Sequence, residues 1–439
     1  MSSEPPAGGP VLQRTGAEAG AGPADRPGAR PVAGPAAHGP AAHGPADHAA
    51  ATGPAARGHA AATGPTTGAP ARPLRTRTGV RLALLLPGGV ALLLGLDAGL
   101  GLLGLPQVLG PALGLTRLPD VHGPLMALGF VGTVISLERA VALGAVWGYA
   151  APAVSGLAVL ALVGPLPILV GQGLLVVAQV LLLLLYRSLL ARQPTAAVTV
   201  QVLGAVAALG AAVLWAGGVP VPYLAPWLAT YLVLTILGER LELARLQALS
   251  PAAARTAMGL AVALLGGAVL TLLAPAAGFT LSGLSLLAVA GWLAVRDVAR
   301  RTVTATGLPR FIAACLLAGY AWLAVAGGIW ALAGPVTAGR GYDAALHAVM
   351  LGFVVSMVMA HAPVILPAVL RRPLPYRPVM YAPAALLHLG LLFRVAVGDA
   401  RDLEWAVQAG GVGNVLALLA FVALAVWSVA TAPRPGGRA

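Results

Sequence analysis

The chain has no lysine. All 27 of its basic residues are arginines, set against 14 acidic residues in a sequence of 439. Charged residues make up only 9% and aromatics 5%. There is one cysteine, Cys315. That count excludes an intrachain disulfide framework, a Cys-rich zinc site and an iron–sulfur cluster held by this chain alone. The scarcity of charge excludes an ordinary soluble domain. What fills the sequence instead is apolar: 58% of residues, with mean hydropathy +0.86. This places the chain among polytopic membrane proteins. The net charge of +13 does not point to nucleic acid. The arginines sit in short loops between apolar runs, which is the signature of membrane topology.

Residues 1–78 are rich in Ala, Gly, Pro and His and lack apolar periodicity. They read as a disordered tail, with no charged start leading into an apolar core and cleavage site. Residues 79–432 read as an all-α, polytopic transmembrane helical bundle of about 12 spans, and 433–439 as a short C-terminus. The spans fall near 82–104, 120–138, 147–166, 168–186, 197–217, 222–241, 257–275, 279–296, 312–333, 343–365, 379–398 and 404–429. Only GPLP separates the third from the fourth. Arginines cluster in alternate loops (Arg187/Arg192, Arg240/Arg245/Arg255, Arg296/Arg300/Arg301/Arg310, Arg371/Arg372/Arg377). The remaining loops hold few. The positive-inside rule then puts both termini in the cytoplasm of a bacterial-type inner membrane. After the tail, no hydrophilic stretch is long enough for a soluble catalytic domain.

Four histidines lie in the apolar part: His122, His347, His361 and His388. An ionisable residue inside a span is costly and marks a candidate site. In DAALHAVMLGFVVSMVMAHAP, helical spacing aligns His347, Met350, Val354, Met357 and His361 on one stripe. At roughly 1.5 Å per residue the two histidines of that stripe are about 21 Å apart, so they cannot share a metal ion. His122 and His347 each follow the external entry of an inward-running span and should lie at similar depth. Two neutral imidazoles facing each other across a bundle are what a bis-histidine haem requires. Met126 and Met350 lie one turn below them, able to line a haem pocket or to give copper a soft ligand. Arg394, near the outer end of the eleventh span, could pair with a haem propionate. His388 or His361 could stand near a second metal or open position. His361 reads better as a structural or proton-relay group. The plain alternative for all four is helix–helix hydrogen bonding.

Weaker signals accompany these. Asp97 could carry protons or sit in an interfacial pocket. Gln172 and Gln179 share a face of the fourth span and read as interhelical glue. Glu138–Arg139 and Glu239–Arg240 read as snorkelling pairs that end their spans. A short echo links His122 with MALGFVGTVIS and His347 with MLGFVVSMV, the shared core being offset by about two residues. It suggests two related halves.

At these residues the chain resembles a known family. DVHGPLMALGFVGTVIS resembles the HxHEMxFGFxGAxIxGF segment of NnrS proteins, and DAALHAVMLGFVVSMVMAHAP resembles their later ALHxxxxGxxGxMxLAxMxR segment. LLHLGLLFRVAV resembles the helix ending in Arg-Val that follows. The resemblance implies a polytopic membrane protein holding haem b and copper, linked to nitric oxide metabolism or nitrosative stress. It carries over His122 and His347 as haem ligands. Departures bear on copper more than on haem. Asp120 stands where the first histidine of HxH would be, Gly123-Pro124 follows the second, and Pro363 and Pro367 occupy the region of a missing GHTGR-like sequence. The HG-x-x-M pattern at His122–Met126 also resembles the low-spin haem helix of haem–copper oxidase subunit I, whose paired copper histidines are not present. The lipid bilayer is the one partner read directly; nitric oxide or another small gas is implied by resemblance, and no redox partner is identified. Two readings stay open beside the haem protein. One is a proton-coupled secondary transporter using His347, His361, Asp97 and His388, against which the sequence shows no clear pair of broken helices in matching positions. The other is a membrane scaffold with the histidines as helix glue.

Overall fold

The computed structural model describes residues 78–245 and 250–432. The expected tail (1–78) and short C-terminus (433–439) lie outside the described residues, apart from Thr78. Among the described residues the architecture is all-α, without strands. Twelve helices are long and apolar enough to cross a membrane. In order these spans are Thr78–Leu102, Leu118–Leu143, Val146–Val163, Ile168–Arg192, Ala196–Ala216, Val221–Ala244, Pro251–Leu270, Pro275–Arg296, Leu308–Ala333, Gly339–Val369, Pro378–Arg401 and Glu404–Ala430. Large apolar side chains stay exposed on the flanks of the spans, Leu389 at 65% and Leu157 at 55% among them. Water would penalise such a surface, and lipid would not.

Local chemistry sets the span ends. Thr195 and Ser250 cap the fifth and seventh spans by accepting from Val198 N and Ala253 N. Gly144, at φ +69°, closes the second span in the left-handed conformation that favours glycine. Between the third and fourth spans the chain breaks at Gly164–Pro167. Neighbouring spans pack as antiparallel hairpins, most closely the fifth with the sixth and the eighth with the ninth. Small residues allow this. A Cβ on Gly283 would lie 2.3 Å from Ala331 N, so the eighth and ninth backbones nearly touch.

Among the described residues, three spans carry a π-helical segment. Leu125–Val131, Ala348–Val355 and Phe393–Gly398 are π-helical, within the second, tenth and eleventh spans. π turns are rare and concentrate at functional sites. Those in the second and tenth spans begin just after His122 and His347. The two lie in corresponding positions of the echoing segments, and the helix runs on through each.

A histidine-lined cavity as candidate site

His122 and His347 line one cavity of about 880 Å³ at the arginine-poor end of the bundle. The first, second, sixth, tenth, eleventh and twelfth spans all contribute to it. His122 Nδ1 lies 2.9 Å from the carbonyl of Gly95 on the first span. His347 Nδ1 lies 2.8 Å from the Asp343 carbonyl and 3.1 Å from its carboxylate, one turn earlier on the same span. Carbonyl and carboxylate oxygens only accept, so each Nδ1 carries the proton and donates it. That fixes the tautomer and leaves each Nε2 with its lone pair. Among the hydrogen bonds of the described residues, none uses either Nε2. A ring held through one nitrogen with the other free is the arrangement of a metal-ligating histidine.

Arg394 stands one layer behind. Its Nε and Nη2 donate to both oxygens of Asp343, at 2.8 and 2.7 Å, in a two-pronged pair. The chain Arg394–Asp343–His347 thus orients one imidazole, and only Nη1 of Arg394 remains for an outside anion. Arg340, paired with Asp402 at 2.8 Å, also lines the cavity. Met126 and Met350 contribute to the wall as the spacing predicts. Glycines make the space. A Cβ on Gly99 would stand 3.5 Å from His122 Cε1, and one on Gly95 would collide with Met126 Sδ at 2.3 Å.

The other two histidines lie outside this cavity, and each has both ring nitrogens engaged. His388 Nδ1 accepts from Trp322 Nε1 at 3.1 Å, so its Nε2 donates to Ser356 Oγ, also at 3.1 Å. Ser356 passes the bond on to the Cys315 carbonyl. His361 donates from Nδ1 to the Met357 carbonyl and accepts at Nε2 from Arg240 Nη1, 2.9 Å away. The stripe on the tenth span therefore serves two places. His347, Met350 and Val354 face the first cavity; Val354, Met357 and His361 face a second, of about 600 Å³, nearer the arginine-rich end.

Two sequence readings change in the structure. Asp97 is a capping residue: its carboxylate accepts from the backbone N–H groups of Val108, Leu109 and Gly110, at 2.7, 3.1 and 2.7 Å, and fixes the loop after the first span. Glu138–Arg139 and Glu239–Arg240 do not snorkel at span ends. Arg139 and Arg240 are buried, and both spans continue past them. Arg139 pairs with Glu138, approaches Glu239 at 3.7 Å and reaches Gln201 at 3.5 Å. Arg240 binds Asp297 at 2.7 Å, and Asp297 also accepts from Tyr320 at 2.9 Å. Gln172 does join spans, donating to the Trp215 carbonyl. The repeated Glu-Arg dipeptide on two spans was the available signal for this network.

No curated protein matches the chain. A family model described as a domain of unknown function (DUF8744) matches residues 81–430, the whole span-bearing region, and the chain belongs to that family.

Proposed function

We propose that this integral membrane protein binds haem b in the larger cavity, where His122 and His347 would hold it through their Nε2 atoms. One observation carries the reading: two imidazoles, each held through Nδ1, line a single cavity with both Nε2 atoms unclaimed. The donor set fits the group. Haem brings four nitrogen ligands of its own and asks only two of the protein. The volume and the glycine-lined wall suit a flat ligand, and Arg340 with Nη1 of Arg394 supplies cationic partners for its propionates. A bound haem would supply one-electron exchange and affinity for a small gas. Nitric oxide as that gas rests on the NnrS resemblance. No copper site is part of the proposal: among the described residues, no three of His, Cys, Asp and Glu are grouped to hold a metal ion.

In this reading His347, hydrogen-bonded to a carboxylate, is the more basic ligand, and His122, hydrogen-bonded to a neutral carbonyl, the weaker one. His122 would therefore hold the group less firmly than His347. The arginine distribution puts the cavity toward the outside of a bacterial-type inner membrane, with both termini in the cytoplasm. Haem content of protein purified from haem-sufficient cells tests the reading. It predicts one haem per chain, and a colourless preparation contradicts it.

A second reading, a secondary transporter, is favoured by one observation. The two cavities lie end to end and share a layer of five apolar residues: Phe130, Val131, Leu232, Val354 and Val355. Four of these close the π-helical segments of the second and tenth spans. Proton-coupled flux into vesicles, lost on substitution of His361, would replace the haem reading with this one.

A further inference from the structure

The second cavity occupies the arginine-rich half of the bundle, and its wall is nearly all hydrocarbon. Leu82 and Gly89 of the first span and Val422 and Val426 of the twelfth line it. The three with side chains are exposed, Leu82 at 48%, Val422 at 38% and Val426 at 63%, so packing does not seal the wall between the first and twelfth spans. An unsealed apolar wall within the membrane-spanning part of a bundle is a sideways opening toward lipid. A molecule already dissolved in the bilayer can enter there without crossing water.

The polar lining is confined to the deep and arginine-rich side: Thr235, Glu138, Glu239, His361 and Arg372. The carboxylate of Glu138 is bound to Arg139, and His361 has both ring nitrogens in use. Glu239 differs. Its nearest cation is Arg139 at 3.7 Å, and it accepts no hydrogen bond among those of the described residues. A largely buried carboxylate (18% exposed) facing an apolar cavity with unfilled acceptor capacity calls for a donor. A phosphate headgroup is the wrong partner, since Glu138 and Glu239 would oppose it with only Arg372 in its favour. An uncharged hydroxyl suits the site.

We infer that this cavity binds a membrane-borne amphiphile with a hydrocarbon chain and an uncharged, hydroxyl-bearing head, the chemistry of an isoprenoid quinol, with the head donating to Glu239. The volume of about 600 Å³ lies in the range of ligand pockets, roughly 300–1,000 Å³. The site does not depend on haem in the other cavity.

Calorimetric titration of the full chain in phosphatidylcholine nanodiscs tests this, with decylubiquinol as probe under anaerobic conditions. Gly89→Phe is the blocking variant: a Cβ there meets nothing within 4 Å, so the ring grows into the cavity without disturbing the backbone. Gly266→Phe is the control, equally open but on the seventh span and outside both cavities. Saturable one-to-one binding is expected, weakened tenfold or more by Gly89→Phe and unchanged by Gly266→Phe. Glu239→Gln should weaken the quinol about tenfold and leave the oxidised quinone, which has no hydroxyl to donate, little altered. Decanol binding as tightly as the quinol would keep the site and assign its head chemistry to a simple alcohol. Absence of saturable binding, or a Gly89→Phe protein that binds like wild type, would overturn the inference.

Discussion

Asp343 holds His347 by two routes, a backbone carbonyl and a carboxylate, and the carboxylate is held in turn by Arg394. Removing the charge leaves the backbone contact intact and releases the guanidinium, which is then buried without its partner. Loss of such an outer partner typically costs about 10–100-fold in metal affinity. Asp343→Asn should therefore weaken haem binding by at least about tenfold in a titration of the apoprotein while the protein still inserts and folds; an unchanged affinity would show that the triad does not position the ligand. The sequence made the two histidines legible because a polar group is conspicuous in an apolar run. It did not reveal the triad, because Asp343 stands at the expected start of the tenth span, where an acidic residue is unremarkable, and Arg394 reads as a propionate partner. Their pairing across 51 positions exists only once the tenth and eleventh spans pack. His388 illustrates the converse. It is as conspicuous as His347 in sequence, yet Trp322 and Ser356 occupy both its nitrogens.

At the level of elements, hydropathy located all twelve spans, since length and composition alone decide whether a helix can cross. It also marked the short break at Gly164–Pro167. It missed the π-helical segments, because an extra residue per turn leaves composition unchanged and is set by packing. These segments fix how the histidine-bearing ends of the second and tenth spans are rotated against the rest of each helix. An α-helix turns about 100° per residue. A wide turn advances less per residue, so the seven residues of Leu125–Val131 cover about the rotation of six α-helical ones. Deleting Ala127 should therefore restore a regular ladder with His122 still facing the cavity, and the product should keep both its helical circular dichroism and its haem. A deletion variant that folds but loses haem would show that the π turn itself sets the ligand's direction. The Glu-Arg pairs were misread for a related reason. A charge near a predicted span end looks like an anchor, and only the longer helices of the structure carry Arg139 and Arg240 into the bundle.

For the molecule as a whole, an even number of spans and one arginine-rich end imply that both described ends of the bundle lie on one side. The single cysteine is buried at 3% exposure, so it is a quiet background for labelling. In intact cells, a membrane-impermeant thiol reagent should label Ala112→Cys and spare Thr304→Cys until the membrane is opened; the reverse pattern would turn the larger cavity toward the cytoplasm. Along the bundle axis the two cavities meet at Phe130, Val131, Leu232, Val354 and Val355. That apolar layer separates the chamber of His122 and His347 at one end from the chamber of Glu239 and His361 at the other. The most direct measurement is the absorption spectrum, oxidised and dithionite-reduced, of detergent-purified protein beside His122→Ala and His347→Ala. The haem assignment predicts a six-coordinate, bis-histidine spectrum in wild type that is lost or converted in both variants. A wild-type protein without a Soret band under haem-sufficient expression, or variants with unaltered spectra, would contradict it.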